Sequence, residues 1–137
     1  MDNHKDSGTV KKILGDGKVV AVVGLSDKKE RPSYGVAAYL QSQGYTIIPV
    51  NPRISEVLGQ KSYPDLESIP FDIDIVDIFR RSEEVLPVVQ SAIKKGAKAI
   101  WLQEGIYNQE AAESAEKAGI DFVMGLCMRK EAERHEA

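Results

Sequence analysis

Residues 19–33 read VVAVVGLSDKKERPS, and this stretch decides the fold. Its first five residues are apolar and mostly β-branched, with no polar alternation. Such a run fits a central strand buried on both faces, the kind that parallel sheets contain. Gly24 ends the run, and a polar loop follows to Pro32. Ser33 then offers a helix cap, and Val36, Ala37 and Leu40 fall at helical spacing. Gly44 stops that helix. Strand, glycine-led loop and helix make the first unit of an α/β domain.

Working outward, residues 1–8 read as a disordered tail and residues 9–15 as a short helix with Val10, Ile13 and Leu14 on one side. A second strand covers 46–50, although Pro49 removes a ladder donor within it. A long connection spans 53–72, and residues 73–79 form the third strand. Val85, Val89, Ala92 and Ile93 restore helical spacing, with an irregular first turn at Pro87 and a stop at Gly96. The fourth strand covers 98–102. Asn108 caps a helix to Ala118, which Gly119 closes, and residues 122–124 form a fifth strand. Residues 132–137 read as a C-terminal tail. These elements predict one domain over 9–131: a three-layer, Rossmann-like α/β fold with a doubly wound, parallel five-stranded sheet. Right-handed crossovers and the strand order 3-2-1-4-5 are expected. Ligands of such sheets bind outside the carboxyl ends of the strands, which gathers 24–33, 50–53, 79–82 and 103–106 around one crevice.

With 137 residues, 42% of them hydrophobic and 28% charged, the chain suits a single domain with one core. Its net charge of −3 argues against binding to nucleic acid or anionic membranes, which need a basic field. No apolar run approaches the roughly 20 residues that cross a bilayer. The start, MDNHKDSGTVKK, lacks the apolar middle of a signal peptide. The one cysteine, Cys127, forms no internal disulfide and no cysteine-based metal site, and a cytoplasmic location is expected. The two histidines, His4 and His135, stand in polar ends, so general-base catalysis through histidine is not expected.

The first loop sits where Rossmann domains hold a pyrophosphate on backbone amides at a helix start. The G-x-G-x-x-G fingerprint, aligned from Gly24, needs glycines where Ser26 and Lys29 stand. The loop instead adds Lys28, Lys29 and Arg31 beside Ser33. It reads either as a phosphate cradle combining backbone donors, hydroxyls and cations, or as a solvated loop with a structural glycine. After the second strand, Asn51-Pro52-Arg53 supplies a guanidinium where an NAD site has a carboxylate. Arg53 suits a phosphorylated ribose, as in NADP or coenzyme A, or is an exposed charge in a turn. An NADP-linked oxidoreductase is one reading, though Tyr34 is followed by Ala38 and gives no Y-x-x-x-K pair. A ligand-free regulatory or interaction module is another. Asp72, Asp74 and Asp77 read as a solvated edge strand or turn. Glu104 either caps the Gly105 turn or bonds a ligand amide, and Trp101 reads as core.

Several segments together carry a family resemblance. VVAVVGLSDKKERPSYGVAAYL, GYTIIPVNPR, DIFRRSEEV and GAKAIWLQEGI, followed by Cys127, resemble the small bacterial and archaeal CoA-binding proteins. These are similar to the nucleotide-binding domain of the succinyl-CoA synthetase α subunit. The resemblance spans about residues 9–131. It implies that the loop of Gly24, Ser26, Arg31 and Ser33, which also includes Lys28 and Pro32, holds the pyrophosphate. It implies that Asn51, Pro52 and Arg53 meet the adenosine 3′-phosphate region. Phe79, Arg80 and the 101–106 segment, with Gln103 and Gly105, would lie along the pantetheine arm or adenine. Relatives usually carry an arginine just before the late cysteine, where this chain has Leu126. The ligase subunit works through a phosphorylated histidine in a second domain, and no such route is expected here. The expected function is noncovalent binding of coenzyme A or an acyl-CoA, without intrinsic catalysis and with any protein partner left open. Cys127 reads either as a small buried hydrophobe or as a thiol able to form a mixed disulfide with the bound coenzyme.

Overall fold

In the computed structural model, which describes residues 7–135, the valine-rich run forms β1 (Val19–Val23) near the middle of a five-stranded parallel sheet. In chain order the other strands are β2 (Thr46–Val50), the short hairpin β3 (Glu56–Val57) and β4 (Gln60–Lys61), β5 (Ile75–Ile78), β6 (Ala99–Leu102) and β7 (Asp121–Val123). The helices are α1 (Ser7–Asp16), α2 (Pro32–Ser42), α3 (Val85–Lys95), α4 (Gln109–Lys117) and α5 (Met128–His135), and a 3₁₀ turn at Ser82–Glu84 leads into α3. Because side chains alternate across a strand, each strand feeds two cores. Val20, Val22, Ile75, Trp101 and Val123 pack toward α1, α2 and α5. Ala21, Val23, Val76, Ile100 and Leu102 pack toward α3 and α4. The result is the three-layer α/β arrangement expected.

The strand order is not the one expected. The sheet runs β2-β1-β5-β6-β7, so the third large strand lies beside β1 rather than outside β2. Two contacts explain this. The outer edge of β2 is already taken: Tyr63 donates its amide to the Pro49 carbonyl at 3.0 Å and accepts from the Asn51 amide at 2.9 Å. Pro49 therefore has its missing donor on the outer side, where a strand tolerates it. At the other end, Asp74 Oδ2 accepts the amides of Lys18 and Val19 at 2.8 and 2.9 Å, and the Asp74 amide donates to the Val19 carbonyl at 3.0 Å. These bonds clamp the incoming β5 to the start of β1.

With β5 inside the sheet, the solvated-edge reading of its aspartates fails for Asp77. Asp77 is completely buried and pairs in register with Val22 of β1 and Trp101 of β6. Trp101 is core, as expected, and its Nε1 donates to the Leu126 carbonyl at 2.9 Å. Helix α5 was not foreseen, because MRKEAERH turns few apolar groups inward, among them Met128. Arg129 lies over the Tyr39 ring at 4.9 Å and joins α5 to α2. Helix α1 begins at Ser7 and α5 continues to His135, so residues 7, 8 and 132–135 are helical where tails were expected. The remainder of those expected tails, 1–6 and 136–137, lies outside the described residues.

Burial pushes the Asp74 carboxyl up, but the Val19 and Lys18 amides and Lys98 outweigh it and hold the group below its ordinary value. A depressed pKa adds stability above the unfolded-state value and loses it as pH falls through the folded one. Asp74→Ala, which strands two amides, should lower the unfolding free energy by about 1–3 kcal/mol at neutral pH. Asp72→Ala, at an exposed position, should stay within about 0.5 kcal/mol of the parent in urea unfolding.

Candidate functional site

The carboxyl ends of β1, β2 and β5 are drawn together at Gly24. Its amide donates to the Val50 carbonyl at 2.9 Å, and the Phe79 amide donates to the Val23 carbonyl at 2.9 Å. Gly24 has φ of +87°, and a Cβ there would run into the Phe79 carbonyl oxygen. The loop beyond it is fixed from within. Ser33 Oγ accepts the Ser26 amide at 3.0 Å, and Ser26 Oγ accepts the Lys28 amide at 3.0 Å. Ser33 is therefore a buried loop anchor and not the helix cap. The cap position falls on Arg31, in extended backbone with no side-chain bond, and Pro32 opens α2. The first turn of α2 thus begins without a side-chain cap, beside the exposed Arg31 and near Lys28.

Asn51 spends its side chain on the same crevice. Nδ2 donates to the Leu25 carbonyl at 3.0 Å, and Oδ1 accepts the Arg53 amide at 2.9 Å. It binds two loops together and sets the turn that leaves Pro52 and Arg53 exposed. Gly105 makes the turn after β6 with φ of +84°, and Ile106 N donates back to the Gln103 carbonyl.

A cleft of about 650 Å³ opens over these strand ends. Five expected residues line it: Arg31, Pro32, Phe79, Arg80 and Gln103. Gly24, Ser26, Lys28 and Ser33 shape the neighbouring loop, whereas Asn51, Pro52 and Arg53 stand at the β2 end outside the cleft lining. Val36, Arg81, Ile106 and Cys127 also line the cleft. Arg81 and Ile106 fall in the segments 79–82 and 103–106 expected around the crevice, Cys127 has the place of a thiol facing the coenzyme, and Val36 was read only as a helix residue. Cys127 is half-buried: it packs against the core beneath α2 and also stands on the cleft wall. Arg80 also lines a smaller hollow of about 220 Å³ between Val23, Val50, Pro64, Leu66 and Pro87, and so stands between the two spaces.

Three guanidiniums and one carboxylate, Glu104, line the large cleft. Glu104 neither caps the Gly105 turn nor stands free, because Lys130 of α5 pairs with it at 3.2 Å. The Gln103 amide turns inward. Its Nε2 donates to Asp77 Oδ1, and its Oε1 accepts the Met128 amide at 3.4 Å. Burial pushes the Asp77 carboxyl up to about 7, against the pull of the Gln103 hydrogen bond. A second cleft of about 420 Å³ lies at the opposite ends of the strands. There Lys12 is tied to Asp121 at 3.1 Å and Lys98 to Asp74 at 3.3 Å, so its cations are already neutralised. An anion is better served at the carboxyl ends.

The chain is similar to known proteins over most of its length. The family model described as "CoA binding domain" matches residues 18–133. The chain is 42% identical over 120 residues to the Bacillus subtilis protein YneT, covering 88% of this chain and 89% of that one. It superposes with a TM-score of 0.91 on a "hypothetical protein from Pyrococcus horikoshii OT3" at 42% identity, covering 96% and 92% of the two chains. It is also 30% identical over 101 residues to "Acetate--CoA ligase [ADP-forming] II" of Archaeoglobus fulgidus, a match to 72% of this chain but 15% of the ligase.

Gly24→Ala should destabilise the protein more than Gly44→Ala. Both positions have positive φ, but a Cβ at Gly44 meets open space. We expect a loss of about 1 kcal/mol at Gly44 and at least about 2 kcal/mol at Gly24, read by denaturant unfolding. Equal losses would mean that the approach to Phe79 is not what requires a glycine.

Proposed function

The chain belongs to the CoA-binding domain family, and from that premise we propose that it binds coenzyme A noncovalently as a binding module without a catalytic step of its own. The observation that carries this reading is the cationic cleft over the uncapped start of α2. Arg31 and the positive end of the α2 dipole would take the pyrophosphate, with Lys28 adding charge from the loop. The pantetheine arm would run along Phe79, Gln103 and Ile106 toward Cys127, in the space of about 650 Å³. Arg53, on the turn held by Asn51, would meet the 3′-phosphate. Arg80, standing between the two spaces, would lie beside the adenosine half. The alternative is that Arg53 is an exposed charge in the turn with no ligand contact.

The absence of a catalytic step rests on what faces the cleft. Glu104 is paired with Lys130, and His135 stands at the far end of α5 beside Glu131. Neither histidine nor an unpaired carboxylate is among the residues lining the cleft. Among the described residues no helix is long and apolar enough to cross a membrane, and we place the protein in the cytoplasm, where the single thiol stays reduced.

A ligand that binds only the folded state raises its stability by mass action, about 2.7 kcal/mol at a hundredfold excess over Kd. Thermal unfolding should therefore rise by several degrees with coenzyme A, less with dephospho-coenzyme A and barely with NADP. A larger response to NADP would favour an oxidoreductase, and no response to any of them would leave a module that borrows the fold.

Titration of Arg53→Ala separates the phosphates. Loss of a charge-assisted contact of about 1.5 kcal/mol should weaken coenzyme A roughly tenfold and leave dephospho-coenzyme A nearly unchanged. Equal weakening of both ligands would remove Arg53 from the 3′-phosphate.

A further inference from the structure

Beneath the cleft lies an ionisable group that noncovalent binding does not by itself require. Asp77 stands in the interior of β5 with no exposed surface. Oδ1 accepts from Gln103 Nε2, and Oδ2 has no hydrogen-bond partner. Gln103 is itself almost wholly buried and forms part of the cleft floor. Its orientation is set by the Met128 amide. A backbone N–H can only donate, so Gln103 turns its oxygen to Met128 and its NH₂ to Asp77. The result is a directed polar chain from the first residue of α5, through the cleft floor, to a carboxyl in the centre of the sheet.

We propose that Asp77 couples occupancy of the cleft to proton uptake: an anionic ligand seated over Arg31 and Arg80 favours the uncharged carboxyl beneath Gln103. The proposal rests on the coenzyme A reading and adds proton-linked control to it. Two forces act in the same direction. The phosphates bring negative charge above a buried carboxylate, and the ligand displaces water from the cleft over Gln103, lowering the local dielectric. Both raise the cost of the ionised form. The proton comes from bulk solvent and takes the unpartnered Oδ2. Linkage is reciprocal, so the ligand binds more tightly when Asp77 is protonated.

The surroundings of Asp77 leave this control to burial and Gln103. Strands β1 and β6 face it with Val22 and Trp101, which carry no charge. Helix α2 brings the phenols of Tyr34 and Tyr39. Helix α5 brings Glu131, which lies near Arg134 and His135, and Arg129, which pairs with Glu133. The cleft rim adds Arg31, Arg80, the Arg81–Glu84 pair, the Glu104–Lys130 pair and the Cys127 thiol. Lys12 of α1 is engaged with Asp121 at the opposite end of the strands.

Isothermal calorimetry with coenzyme A, in two buffers of different ionisation heat at about pH 7.5, counts the protons moved on binding. That pH lies just above the value of about 7 to which burial raises Asp77. The wild-type protein should take up a measurable fraction of a proton more than Asp77→Asn, which keeps the acceptor for Gln103 and cannot ionise. The 3′-phosphate, titrating near pH 6, contributes equally to both proteins and cancels in the difference. From about pH 8 to about pH 6.5 the affinity of the wild type should gain roughly three- to tenfold over that of the variant. Equal proton counts, or relative release by the wild type, would overturn the coupling. Asp77→Thr serves the same comparison if the asparagine variant does not fold. If coenzyme A gives neither heat nor stabilisation, the binding reading falls and the coupling with it. The pH profile of unliganded unfolding then still reports on Asp77 alone. A carboxyl raised in the folded state gives stability that is present at low pH and lost as pH rises through the folded value, so the wild type should lose stability against the variant from about pH 5 to about pH 8. Parallel profiles would show that Asp77 does not titrate there.

Discussion

Three strand ends meet at a position that has no room for a side chain. Gly24 brings its backbone against the Phe79 carbonyl while its amide holds the end of β2. Because β5 lies beside β1, this meeting point is also where the strand order reverses, with β2 on one side and β5, β6 and β7 on the other. The helices that follow β1 and β5 pack on opposite faces, and their loops splay apart over it. The cleft is the space left between those loops. Its location follows from topology, and its closeness to backbone donors follows from the glycine.

Charge is distributed to match. The chain is acidic as a whole, yet Arg31, Arg80 and Arg81 gather over the carboxyl ends of the strands. Cations at the opposite ends are consumed in ion pairs with Asp74 and Asp121. Exposed pairs of that kind contribute little to stability, but they remove competition for an anionic ligand. Arg31 works at the start of α2, where the helix dipole favours the same sign of charge. Beneath this rim, Asp77 holds a carboxyl where water cannot solvate its charge, so its ionisation answers to whatever occupies the space above.

Much of the fold was legible because its signals are local. The helix stops at Gly44, Gly96 and Gly119 all prove to be left-handed positions, with φ of +100°, +90° and +74°, and Asn108 caps α4 by accepting the Ala111 amide. Strand order was not legible, since nothing in a strand's own residues says which neighbour it will take. That choice was made by Tyr63 and Asp74, two residues in the connections. Ser33 misled because Pro32 fits the first helical position and moves the cap back to Arg31. Asp77 misled because a strand aspartate ordinarily signals solvent, and only the placement of β5 puts it in the interior. Among the candidate site residues, those on the β1 and β5 loops were read from the Rossmann pattern and the family resemblance. Met128 joined the site through α5, whose charged sequence hid that helix.

The way Tyr63 covers β2 has a consequence beyond topology. An open outer strand offers a row of free backbone groups that a second polypeptide can template upon, the usual start of sheet-to-sheet polymerisation. Here a passing loop saturates that row at Pro49 and Asn51, and proline itself denies one donor to any newcomer. At the opposite border the sheet ends in β7, three residues long, too little for a lasting intermolecular ladder. A domain this small thereby keeps a parallel sheet without presenting a long sticky margin at either border.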